Sequence, residues 1–164
     1  MFAYEGCVRE GIRAAKYARH AVPAETIAGR LLEAVSGKWV DRFQAGFRPA
    51  VVPVPVRPVK YFQRGFNLPS LVAQALSRLT GWPFAPLVLR RTVGNSPQAG
   101  LRLSEREGNV RGVFGVPPNR RPPPEILLLD DVYTSGATAR ACALALKTAG
   151  AGNIVVLTVA RTVI

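Results

Sequence analysis

Apolar residues recur along this chain with two periods, and proline and glycine mark the breaks between them. Leu68, Leu71, Val72, Ala75, Leu76 and Leu79 follow the i, i+3, i+4, i+7, i+8, i+11 spacing of one helix face. Asn67 is placed to cap that helix, Pro69 suits its first turn and Gly81 closes it. Ile27, Ala28, Leu31, Leu32 and Val35 form a second stripe, predicting a helix over 24–35 with Pro23 at its start and Gly37 past its end. Over 5–19 the stripe is thinner: Val8, Ile12 and Ala15 oppose Arg9, Arg13, Lys16 and Arg19. A helix there would either lie over a site or present a solvated basic face. A last helix, 138–149, is nearly all alanine and leucine, with Gly150 as its stop.

Other segments read as strands. Ile126-Leu127-Leu128-Leu129 runs without a polar break, which suits a parallel strand covered on both faces by helices. Asn153 to Ala160 supplies a second strand, the last in the chain. Ala50-Val51-Val52 begins a third, which Pro53 and Pro55 should end, because neither can donate a ladder hydrogen bond. Pro86 to Arg91 and Val110 to Val116 are further strand candidates, and the proline-rich stretch 117–124 is a stiff connector. Strands alternating with helices predict an α/β fold around a mainly parallel sheet, with the N-terminal helices packed on it.

The chemistry gathers where the 126–129 run ends. Asp130 and Asp131 follow it, at the carboxyl end of the strand, where open parallel sheets bind ligands. Successive strand residues point to opposite faces, so the two aspartates are expected to do different jobs. Then come Thr134, Ser135 and Thr138 with hydroxyls, and Gly136, which allows positive φ and close approach to the backbone. The next helix adds N–H groups and the positive end of its dipole. A phosphate suits that turn, and the carboxylates suit sugar hydroxyls or a hydrated Mg²⁺. Together these describe a ribose 5-phosphate carrying a pyrophosphate.

Asp130-Asp131-Val132-Tyr133-Thr134-Ser135-Gly136-Ala137-Thr138 resembles the phosphoribosyl pyrophosphate (PRPP) motif of type I phosphoribosyltransferases. The resemblance implies that the acidic pair meets the ribose hydroxyls, touching Mg²⁺ only indirectly through PRPP, and that the turn holds the 5-phosphate. Val52-Pro53-Val54-Pro55 followed by Arg64-Gly65-Phe66-Asn67 narrows it, since this pairing resembles the ComF family of competence proteins, a branch of the phosphoribosyltransferase-like fold. In such folds the loop after the first core strand meets pyrophosphate, which implies a role for Pro55, Arg57, Lys60 and Arg64. Residues 92–109 have little apolar periodicity. Arg91, Gln98, Leu101, Arg106, Asn109 and Phe114 match the ComF pattern, and in type I phosphoribosyltransferases this region is a lid. Arg102 or Arg106 would then neutralise the departing pyrophosphate. Many ComF relatives begin with a four-cysteine zinc module. Nothing before Cys7 could hold a metal, so that module is expected to be absent here or to belong to a longer gene product.

Charge adds one constraint. Lys and Arg number 22 against 10 Asp and Glu, a net charge of +12. Such a chain expects polyanions: phosphorylated small molecules, nucleic acid or an acidic partner. At 164 residues one domain is expected, with 1–45 as an N-terminal helical part and 50–164 as the core. A chain of this size needs no disulfide or metal to fold. Cys7 and Cys142 belong to no metal-ligand spacing and are expected to be reduced thiols, and His20 is expected to be structural. No apolar run reaches the ~18–20 residues that span a bilayer, and Met1 to Gly6 does not open a secretory signal, so a cytoplasmic protein without membrane insertion is expected.

Two function classes remain open. One is a Mg²⁺-dependent phosphoribosyltransferase in which a nucleobase or amine attacks C1 of PRPP, though no acceptor-recognition element is legible. The other is a non-catalytic module that senses PRPP or binds single-stranded DNA, linked through the ComF resemblance to DNA uptake and to other competence proteins. Tyr61, Phe62 and Phe66 would stack on bases, or would pack against the neighbouring helix, which is the favoured expectation. A homo-oligomer is left open.

Overall fold

The computed structural model describes residues 2–3, 24–44, 46, 48–92 and 112–162. Among the described residues six strands and four helices follow in chain order: β1 (Phe2–Ala3), α1 (Ala24–Gln44), β2 (Ala50–Pro53), α2 (Pro58–Arg64), α3 (Leu68–Thr80), β3 (Arg90–Arg91), β4 (Phe114–Gly115), β5 (Glu125–Tyr133), α4 (Ala137–Thr148) and β6 (Asn153–Arg161). Four strands form one sheet in the order β1-β6-β5-β2, and every pairing in it is parallel. β3 and β4 pair antiparallel as a separate two-stranded ribbon.

The unbroken apolar run of β5 is explained by its position, paired on both edges and covered on both faces. Leu127 and Leu129 pack with Val51 and with Ala28, Leu31, Val72 and Leu76 from α1 and α3. Ile126 and Leu128 pack on the other side with Val52, Phe114, and Cys142 and Leu146 of α4. The sheet is thus the middle of three layers, and no residue from Ile126 to Leu129 needs a polar partner.

Main-chain parity lets Pro53 close β2 without cost to the pairing with β5. Val51 N–H donates away from β5, to Pro83 O at 2.7 Å, whereas Val54 N–H donates toward it, to Leu129 O at 2.8 Å. Alternation puts the position of Pro53 on the outward side, so its missing N–H forfeits no bond to β5. Past this point β2 leaves the sheet while β5 runs on beside β6 to Tyr133.

Several boundaries differ from those the sequence predicts. α1 extends to Gln44, past Gly37. The stretch read as a loop after Arg57 contains α2: Pro58 has its φ set for a first turn and Gly65, at φ 78°, closes it. Its exposed Val59, Tyr61 and Phe62 make no core-facing stripe, so periodicity could not reveal it. Of Pro86–Arg91 only Arg90–Arg91 is a strand, and of the described part of Val110–Val116, residues 112–116, only Phe114–Gly115 is. The expected helix over 5–19 and the expected lid over 92–109, from Val93 onward, lie outside the described residues. No helix among the described residues is long and apolar enough to cross a membrane.

Candidate phosphoribosyl site

The fork between β2 and β5 opens a cavity of about 340 Å³. Val54 to Arg57 and Lys60 line it from the β2 side, Phe66 to Pro69 from the entry to α3, Asp130 to Val132 from β5, with Thr138 and Arg91 completing the wall. Both aspartates therefore meet one cavity although they alternate along the strand. Asp130 is 8% exposed and Asp131 half-buried. Each accepts a bond from the next backbone amide: Asp131 N–H to Asp130 Oδ1 at 2.8 Å, and Val132 N–H to Asp131 Oδ1 at 2.8 Å. These bonds fix both carboxylates close to the main chain.

The turn beyond them is held from three sides. Gly136 adopts φ 76° as the residue before α4. A Cβ built there would sit 2.6 Å from Tyr133 Cζ, so the Tyr133 ring lies folded back on the glycine. Ser135 Oγ accepts from Ala137 N–H at 3.4 Å, and Arg140 Nη1 donates to Ser135 O at 2.9 Å. That last contact places a guanidinium beside the hydroxyl turn. Thr134, Ser135 and Thr138 are exposed.

The other wall is pinned by Asn67. It occupies the cap position of α3 without making a side-chain cap, because Pro69 has removed one of the N–H groups a cap would serve. Its Nδ2 donates instead to Val54 O at 3.1 Å, tying the helix entry to the loop that carries Pro55 and Arg57. Arg91 stands on the ribbon, its guanidinium carbon 5.0 Å from the centroid of the Phe114 ring. Burial, and next the charge of Arg57, lower the Arg91 pKa from its ordinary value. On the α4 side of the sheet the Cys142 thiol is pushed up from 9.0, by burial first and by Asp130 second, with Arg91 opposing.

Of the residues expected in a site, Pro55, Arg57, Lys60, Asp130, Asp131, Val132 and Thr138 line the one cavity. Tyr133, Thr134, Ser135 and Gly136 form the adjoining turn, and Ala137 faces a neighbouring groove along α4. Arg64 ends α2. Arg102 and Arg106 lie outside the described residues. Sequence reasoning left out Arg91, although its match to a family pattern marked it, and gave Asn67 only a capping role. Phe66 is half-buried and packs with the core, as favoured for the aromatics, whereas Tyr61 and Phe62 are exposed.

No group of three or more His, Cys, Asp or Glu among the described residues could hold a metal alone. The two carboxylates do fit a hydrated Mg²⁺ that completes its shell with ligand oxygens and water.

No family model matches the chain. Curated relatives do. Competence protein F of Haemophilus influenzae is 32% identical over 114 residues, covering 68% of this chain and 50% of that protein. Competence protein ComFC of Streptococcus pneumoniae is 31% identical over 110 residues, covering 67% of this chain and 47% of that protein. DNA utilization protein YhgH of Escherichia coli K12 is 29% identical over 134 residues, 80% of this chain and 57% of that one. The chain thus spans about half the length of the curated relatives it matches. Among solved structures, glutamine phosphoribosylpyrophosphate amidotransferase from B. subtilis superposes with a TM-score of 0.51 at 20% identity, over 83% of this chain and 26% of that one. The allosteric regulatory enzyme of purine biosynthesis gives 0.50 at 21% identity, over 83% and 25%. Parallel sheet, acid pair, hydroxyl turn and relatives agree: the chain belongs to the ComF family of competence proteins, on a type I phosphoribosyltransferase fold.

Proposed function

We propose that this chain binds PRPP or a related ribose 5-phosphate together with Mg²⁺, in a protein that serves DNA uptake. One observation carries the reading: Asp130 and Asp131 line the same cavity as Arg57, Lys60 and Thr138, at the carboxyl end of the central strand. The carboxylates take the ribose hydroxyls and the oxygen-bound Mg²⁺, and the 134–138 turn takes the 5-phosphate through amides and hydroxyls. Arg57 and Lys60 take the pyrophosphate. If an acceptor attacks C1, pyrophosphate leaves as the C1–O bond breaks. The same carboxylates then offset oxocarbenium-like charge on the sugar. The names of the competence and DNA-utilization relatives support the link to DNA uptake.

Calorimetry tests the site. Asp130→Asn with Asp131→Asn preserves side-chain volume and should abolish PRPP binding in Mg²⁺ while thermal unfolding stays cooperative. Unchanged PRPP affinity in that double variant refutes the site. Pyrophosphate release, screened over nucleobases and amines, decides whether binding leads to transfer.

A second reading, single-stranded DNA binding, is favoured by α2. Phe62 is 84% exposed and Tyr61 47%, the two rings meeting edge to face at 6.4 Å beside Lys60. Exposed rings next to cations suit stacked bases. DNA affinity on this surface should fall steeply with salt and drop in Phe62→Ala, whereas PRPP binding should require Mg²⁺ and ignore that change.

A further inference from the structure

We propose that Phe114 is a positioning residue that holds the Arg91 guanidinium on the cavity wall, where Arg91 and Arg57 together clamp the second anionic group of the ligand. The inference rests on the ribose 5-phosphate reading above and deepens it by adding Arg91, held by Phe114, to the residues that meet the pyrophosphate.

The ribbon has the geometry of a bracket. Arg91 and Phe114 are register partners across β3 and β4. Phe114 is 6% exposed and packs with Val52, Val54, Leu128 and Cys142, so its ring is fixed by the core under the sheet. The Arg91 guanidinium lies 5.0 Å over that ring while also lining the cavity. A cation on an aromatic face keeps its N–H edges available for other partners. Arg57 lines the same cavity, and its charge acts on Arg91. Among the described residues neither arginine belongs to an ion pair. Arg91 is half-buried, so a like charge beside it is unfavourable until an anion joins them. Forked guanidinium donors suit phosphate oxygens. Arg91 comes from an element separate from the 134–138 turn, and it lines the same cavity as Thr138 and the two carboxylates.

Calorimetry with two probes, inorganic pyrophosphate and ribose 5-phosphate, both in Mg²⁺, tests this. Arg91→Ala should weaken pyrophosphate binding about ten-fold or more and ribose 5-phosphate less than about two-fold. Phe114→Leu keeps an apolar core side chain and should weaken pyrophosphate about three-fold or more, and Phe114→Tyr should restore it. In the Arg91→Ala background Phe114→Leu should have no further effect, because the ring acts through the guanidinium. Unchanged pyrophosphate affinity in Arg91→Ala overturns the clamp. An equal effect of Phe114→Leu with and without Arg91 overturns the positioning role. If the parent protein binds pyrophosphate through Arg91 but not ribose 5-phosphate, the clamp stands and the sugar-phosphate reading falls; if it binds neither probe, both fall.

Discussion

Replacing Gly136 by alanine probes the turn most directly, because two separable effects meet there. The first is conformational: φ is 76°, where a Cβ crowds the following carbonyl at a cost of roughly 1–2 kcal/mol. The second is steric. The new Cβ would stand 2.6 Å from Tyr133 Cζ, so the ring must swing off its rotamer, which costs on the order of 0.5–1.5 kcal/mol. The sum, about 1.5–3.5 kcal/mol, corresponds in a chain of this size to a fall in Tm of about 5–10 °C. Urea unfolding of four variants separates the contributions. Gly136→Asn should recover part of the conformational cost, since asparagine tolerates the left-handed region, yet keep the collision. Adding Gly136→Ala to Tyr133→Ala should cost less than adding it to the parent, by the steric component alone. Ribose 5-phosphate affinity should fall with the displaced turn. A Gly136→Ala protein within about 0.5 kcal/mol of the parent would refute the backbone argument, given how rarely surface changes exceed that. An identical cost with and without the tyrosine would refute the packing argument.

Two further outcomes follow from neighbouring groups. The folded state holds the Cys142 proton above the thiol's ordinary value of 9.0, so the unfolded chain releases it first as pH rises. The thiol's contribution is therefore complete below pH 9 and should be lost above it at about 1.4 kcal/mol per pH unit. Denaturant titrations from pH 8 to 10 should show that slope, and Cys142→Ala should lack it. Asn67→Ala removes the 3.1 Å bond to Val54 O and should lower stability by about 0.5–1.5 kcal/mol. Asn67→Asp, which sets an acceptor against that carbonyl, should lower it further in the same urea assay.

The central layer was readable because its physics is periodic. Ile126–Leu129 must be apolar on both faces, and the stripe from Leu68 to Leu76 has one covered side, with Leu79 at its end exposed, so pattern alone placed β5 and α3. The acid pair and hydroxyl turn were readable because strand, paired acids, hydroxyl-rich turn and helix follow one another in that order. α2 was hidden because its apolar side chains face outward, where they leave no helical stripe. Both ribbon strands were legible as candidates, but the place of Arg91 at the site was not, because it depends on pairing with a partner more than twenty positions away in sequence, Phe114. Asn67 read as a cap by residue type, but with one of the amides a cap would serve missing at Pro69 its side chain bonds Val54 O instead.

The parting of β2 from β5 at Pro53 has a consequence for how such a corner can change over time. The opening begins where the main chain of β2 leaves β5, after the Val54 N–H bond to Leu129 O, and is not set by the bulk of any lining side chain. Its frame therefore survives exchange of the groups that face inward. A chain built this way can acquire a new specificity by swapping lining residues, while the main-chain opening that admits the ligand stays in place.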